Sequence, residues 1–216
     1  MNKLNTKITK FDDWFWPISG RYTYDYLMQR NKHKDVLIPI CKDRTKTLVQ
    51  AGGNCGLTVY PFCEIFENVY TFEPDATNFV CLNLNLDFEN VHKYQACLGY
   101  ERKLISLENQ FTYDNGDNGA FNVSKKAGHI PVLRLDDFNL ESCDVIMLDV
   151  EGYEQEAVKG AIQTIEKHKP VLCLEMEPRW LARYDATVES LTKILTELNY
   201  IQYTKYEADI IFVQKT

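Results

Sequence analysis

Short apolar runs alternate along this chain with stretches in which apolar residues recur every third or fourth position. Leu48-Val49, Val69–Phe72, Val91–Leu98, Asp144–Val150 and Pro170–Met176 have the length and composition of buried strands. Between them, helical periodicity runs over Leu57–Phe66, Thr77–Leu86, Gly152–Lys167 and Val188–Leu198. Phe79, Leu82 and Leu86 share one face of the second of these, and Ala157, Val158, Ala161 and Ile165 one face of the third. Tyr200–Thr204 and Ile210–Val213 read as a closing antiparallel pair. Strands alternating with helices and then ending in a hairpin predict an α/β fold, a doubly wound, seven-stranded and mostly parallel sheet.

The two ends of this pattern are less regular. Residues 1–45 are rich in aromatics (Phe11, Trp14, Phe15, Trp16, Tyr22, Tyr24, Tyr26), with short helices expected over Tyr22–Arg30 and His33–Cys41. This appendage either closes over a site as a lid or covers one sheet face. Residues 46–216 then form the single main domain. Residues 100–131 carry no clear period; Asp114–Gly119 (DNGDNG) is a turn signal inside them.

Composition narrows the class. The 216 residues are 45% hydrophobic and 25% charged, ordinary for a soluble globular protein with a sizeable core. A formal charge of −7 argues against nucleic acid as the main partner. No run of 18 apolar residues occurs, and the start of the chain lacks an apolar signal core, so no membrane partner is expected. The seven cysteines are odd in number, scattered through apolar contexts and without metal-type spacing. They suit free buried thiols in a reducing cytoplasm, and no metal centre is read from them.

Thr47–Pro74 is where chemistry concentrates. A strand leads into the turn Gln50-Ala51-Gly52-Gly53-Asn54-Cys55-Gly56, where glycines let the backbone bend and approach a ligand closely. A helix and a second strand follow, and Glu73-Pro74 stands at that strand's carboxyl end. A glycine turn at a helix N-terminus for a polar tail, with a distal carboxylate for ribose hydroxyls, is nucleoside-binding logic. The spacing reads in two ways. Ala51-x-Gly53-x-x-Gly56 approximates a dinucleotide fingerprint. Gln50-x-Gly52-x-Asn54-x-Gly56 resembles the first motif of class I S-adenosylmethionine-dependent methyltransferases, especially the FkbM family, with Gln50 where that motif has an acid.

Leu148–Ala161 (LDVEGYEQEAVKGA) resembles the FkbM signature around its fourth strand, matching at Asp149, Glu151, Gly152, Tyr153, Glu154, Lys159 and Gly160. Met147 stands where that signature has a lysine. With Glu73-Pro74, Asn85-Leu86, Leu135-Asp136-Asp137 and Pro170…Glu175, the resemblance covers roughly residues 47–178. It implies a class I methyltransferase fold for residues 46–216 and S-adenosylmethionine as cofactor. It further implies O-methylation of a small-molecule or saccharide acceptor. The implied cofactor-binding residues are Gln50, Ala51, Gly52, Gly53, Asn54, Gly56, Glu73, Pro74, Cys97 and Asp149. Oligomeric state is not legible.

Asp149 and Glu151 lie two apart at a strand's carboxyl end, where they share a face if the strand persists. Glu175 and Glu177 repeat the arrangement on the next strand. Carboxylates crowded at strand ends call for either a raised carboxyl, suited to a general base, or a hard cation. The catalytic candidates are Asp149, Glu151 and His129, the last in a glycine-flanked loop. Glu154 reads instead as a structural acid at a helix start. Trp180 and Arg179 are candidates for an acceptor pocket. A nicotinamide-dependent oxidoreductase and a non-catalytic cofactor-binding protein are the alternatives.

Overall fold

The structure is a computed structural model, and it describes residues 8–11, 13–17, 32–109 and 121–215. In chain order the elements are β1 (Ile8–Phe11), β2 (Trp14–Pro17), α1 (Lys32–Cys41), β3 (Thr47–Ala51), β4 (Asn68–Phe72), α2 (Ala76–Asn85) and β5 (Val91–Tyr94). There follow β6 (Cys97–Leu98), β7 (Leu104–Asn109), β8 (Phe121–Ala127), β9 (Ile130–Leu133), β10 (Val145–Leu148), α3 (Glu154–Lys159) and α4 (Ile162–His168). The chain closes with β11 (Val171–Glu175), α5 (Pro178–Leu181), α6 (Val188–Glu197), β12 (Tyr200–Tyr206) and β13 (Asp209–Gln214). The helix expected at 22–30 and the turn at 114–119 lie outside the described residues.

The main sheet has seven strands in the order β12-β13-β11-β10-β3-β4-β5. Neighbours from β11 through β5 run parallel, and β13 is antiparallel to both β11 and β12. Every residue of β3 and β10 is buried, as strands covered on both faces must be. Val49, Ile146, Leu148 and Leu172 pack on one face against Ile165, Leu191 and Leu195 from α4 and α6. Leu48, Val145, Met147 and Cys173 pack on the other against Leu37, Phe62 and Leu82. Trp14 and Trp16 join this second face, and the Asn85 side chain holds Phe15 through its N–H (2.8 Å) and carbonyl (2.9 Å). The described part of residues 1–45 therefore covers a sheet face.

Local chemistry breaks three of the expected elements. Leu57–Phe66 forms turns and a single 3₁₀ segment at Tyr60–Phe62, because Pro61 lacks the N–H that an α-helix would use. The strand expected over Val91–Leu98 bends at Gln95-Ala96. Its second half, β6, leaves the main sheet for a second sheet of order β6-β9-β7-β8. The helix expected over Gly152–Lys167 is two helices. Asp136 enters at the break: its N–H donates to Gly160 O (3.0 Å), and its carboxylate accepts from Thr164 N and Oγ1 (both 2.9 Å), capping α4. Among the described residues no helix is long and apolar enough to cross a membrane.

Candidate active site

The parallel strands all end on one edge of the sheet, and the site lies beyond that edge. At the end of β3 the chain turns at Gly52 with φ +84°, and a Cβ there would lie 1.8 Å from Asp149 O. Only glycine lets the tops of β3 and β10 come so close. Gly52 and Gly53 both donate to Phe72 O, at 3.0 and 2.9 Å. Asn54, in the left-handed region at φ +46°, then donates its N–H to Glu73 Oε2 (2.7 Å). Glu73 Oε1 accepts from Asp75 N (2.8 Å). Glu73 is thus fixed between the glycine turn after β3 and the loop after β4. Burial pushes its carboxyl up to about 8, against the pull of these two N–H donors.

A second loop, Asp149–Tyr153, faces this one. β10 ends at Leu148, so Asp149 and Glu151 do not extend the strand as expected; Glu151 has φ +56° and Gly152 φ +101°. A Cβ on Gly152 would lie 2.2 Å from Trp180 O, so the loop can pass α5 only with glycine here. Glu154 supports the loop from beneath. Its Oε1 accepts from Val150 N (2.9 Å) and Gly152 N (3.3 Å), and burial raises its carboxyl to about 8. The structural reading of Glu154 holds, although it ties the preceding loop rather than a helix N-terminus.

Between the loops is a cavity with about 490 Å³ of empty space, open to solvent. Ala51, Gly52, Glu73, Pro74, Cys97, Asp149 and Glu151 line it, all of them anticipated from the sequence. Phe72, Ala96, Leu98, Val150, Tyr153 and, from the second sheet, Leu107, Phe121 and Val123 complete the wall. Tyr153 lay inside the matched signature. Leu107, Phe121 and Val123 lay in the stretch without a legible period.

The remaining expected residues fall elsewhere. Gln50 is buried in β3 outside the lining, and its Oε1 accepts from Thr71 Oγ1 (2.7 Å). Gly53, Asn54 and Gly56 shape the turn without lining the cavity. His129 is exposed between β8 and β9 and does not line the cavity. Arg183 and Arg179 stack on Trp180 at 3.9 and 5.0 Å outside the wall, and Glu177 turns away to pair with Arg179 (2.9 Å).

Asp149 is the acid to which the others relate. Its surface is open to the cavity, yet surrounding protein strips much of its hydration and, with the charge of Asp209, raises its carboxyl to about 6. Glu175 is displaced further by burial and by the charges of Asp149, Glu151 and Glu154, so it keeps its proton and donates to Asp149. The crowding expected at the strand ends is therefore present, with Asp209 and not Glu177 completing it.

Residues 52–202 match the Methyltransferase FkbM domain family. The chain belongs to this family. Among solved structures, an FkbM methyltransferase from Methylobacillus flagellatus KT is similar at 20% identity and TM-score 0.50, over 78% of this chain and 43% of that one. This chain thus spans less than half of that protein. A precorrin 8W decarboxylase from Methanobacterium thermoautotrophicum shares 10% identity at TM-score 0.50, over 85% and 90% of the two chains. Magnesium protoporphyrin IX methyltransferase from Synechocystis PCC 6803, solved with bound S-adenosylmethionine, shares 13% at TM-score 0.49, over 88% and 80%. A comparison with curated proteins finds no match. The FkbM assignment sets the nicotinamide alternative aside.

Proposed function

We propose that this FkbM domain methylates a hydroxyl oxygen of a small molecule, a saccharide or another metabolite, with S-adenosylmethionine as donor. The observation that carries the reading is one cavity with an anchored acid, Glu73, in its wall and a second acid, Asp149, open to it. The donor suits this cavity. Each Glu73 oxygen already accepts one backbone N–H and retains a lone-pair site for a ribose hydroxyl. Phe72, Cys97, Leu98 and Leu107 offer an apolar slot of the kind a purine ring fills, and the Ala51-Gly52 turn brings backbone to the polar end.

The bound cofactor supplies an electrophilic methyl group. Asp149 accepts the hydroxyl proton as the oxygen attacks, and Glu175, hydrogen-bonded to it, fixes its orientation. Tyr153 and the second sheet narrow the cavity and hold the acceptor in line for displacement. Buried free thiols suit a reducing compartment, and the cytoplasm is the proposed location. The test is incubation with S-adenosylmethionine and a panel of sugars and hydroxylated metabolites, reading S-adenosylhomocysteine and a mass gain of one methyl group on the product. Formation of S-adenosylhomocysteine with an amine or thiol acceptor alone would overturn the oxygen assignment.

A further inference from the structure

Behind the cavity, on the sheet face covered by α1, three side chains from distant parts of the chain converge. His33 comes from the first turn of α1, Cys173 from β11 and Asp209 from the start of β13. Their ligand atoms, an imidazole nitrogen, a sulfur and a carboxylate oxygen, all lie within 4.8 Å of one another. His33 Nε2 and Asp209 Oδ2 are 2.8 Å apart. The charge of Asp149 also bears on His33, so two carboxylates act on one imidazole beside a buried thiol.

We infer that His33, Cys173 and Asp209 hold a zinc ion, with water as the fourth ligand, that clips α1 to the sheet next to Asp149. A mixed nitrogen, sulfur and oxygen set favours Zn²⁺ over Mg²⁺ or Ca²⁺, which take oxygen alone. Tetrahedral zinc with bonds of about 2.0–2.3 Å requires ligand atoms roughly 3.3–3.8 Å apart. Binding therefore parts the His33–Asp209 pair and draws Cys173 inward, movements of about an ångström within side-chain reach. The Cys173 thiol gives up its proton to solvent as the zinc–sulfur bond forms. The cation also offsets the charge of Asp149 and Asp209, both of which act on one histidine.

The test uses the full chain stripped of metal by a chelator, titrated with Zn²⁺ against a chromophoric competitor and separately with Co²⁺. One equivalent should bind, with a rise in melting temperature, and the cobalt form should show a thiolate-to-metal charge-transfer band. His33→Ala and Cys173→Ser should each weaken binding by more than the about 10–100-fold that loss of an outer partner costs. Cys143→Ser, on the opposite sheet face, should leave binding unchanged. If Cys173→Ser fails to fold, the wild-type cobalt band and His33→Ala decide. Absence of stoichiometric binding, a cobalt spectrum without thiolate character, or full affinity in His33→Ala overturns the site.

Discussion

Glu73 accepts the backbone N–H of Asn54 at 2.7 Å, across the gap between the glycine turn after β3 and the end of β4. The acid that ends the second strand of the βαβ unit thereby fixes the shape of the turn that follows the first. The left-handed conformation of Asn54 aims its N–H at Glu73. Removing the carboxyl therefore releases the turn and, at the same time, deletes the acceptor proposed for ribose.

Glu73→Ala is expected to weaken S-adenosylmethionine binding at least about fivefold, since each of the two ribose hydrogen bonds it would lose is worth roughly 0.5–1.5 kcal/mol. Calorimetry measures this directly. Unchanged affinity in a folded variant would move the ribose away from Glu73.

Gln50 shows how the sequence pattern and the structure part company. Its position in the motif suggests contact with the cofactor, where an acid would add useful charge. Instead it is 2% exposed within β3 and serves Thr71. Gln50→Asp should therefore destabilise the fold and leave cofactor affinity nearly unchanged. The shorter side chain strands Thr71 Oγ1 and buries a carboxyl, a combined cost of at least about 2 kcal/mol. Urea unfolding monitored by circular dichroism checks it, and a variant as stable as wild type would refute it.

The sequence made legible those features that depend on period and local spacing. The five parallel strands announce themselves by buried apolar runs, and Gly52, Glu73 and Asp149 by their places at strand ends. Breaks imposed from outside a segment were not legible. Asp136 splits a helix that its own periodicity describes as continuous, because the intruding cap comes from a distant turn. Leu107, Phe121 and Val123 line the cavity only because β6 leaves the main sheet, a choice made by pairing with β9. Convergence of His33, Cys173 and Asp209 is likewise tertiary, and no short-range spacing encodes it.

Glu154 gives stability a pH dependence. Its carboxyl sits at about 8 in the folded chain and near 4.5 when unfolded. The folded state therefore holds this proton more tightly. The stability it contributes is full below about pH 4.5 and is lost as pH rises through about 8, each tenfold difference in proton affinity being worth about 1.4 kcal/mol. Glu73 acts in the same direction. Denaturant midpoints for wild type should fall between pH 5 and 9, and Glu154→Gln should flatten part of that fall. Equal slopes for the two proteins would remove Glu154 as a source.

Gly152 is the backbone position least open to substitution. Ala would have to adopt φ +101° with its Cβ 2.2 Å from Trp180 O, a contact with backbone that no side-chain rotation relieves. Left-handed strain costs of order 1–3 kcal/mol, and displacement of α5 adds to it. Gly152→Ala should lower the melting temperature by several degrees and reduce turnover, because Glu151 and Tyr153 flank it in the cavity wall.

Asp149 decides whether the site does the proposed chemistry. Its carboxyl opens into the cavity and receives a hydrogen bond from Glu175. Asparagine has the same shape and can still accept that bond, yet it cannot take a proton at any working pH. Asp149→Asn should therefore fold and bind S-adenosylmethionine within a few-fold of wild type. Its turnover should fall by about 10²–10⁴, the range for loss of a positioned general base. Single-turnover measurement with saturating acceptor separates this loss from acceptor binding. If instead turnover is normal while the acceptor's KM rises, Asp149 binds the acceptor and another group takes the proton. Glu151, whose carboxylate also faces the cavity, is the residue to test next, by Glu151→Gln in the same assay.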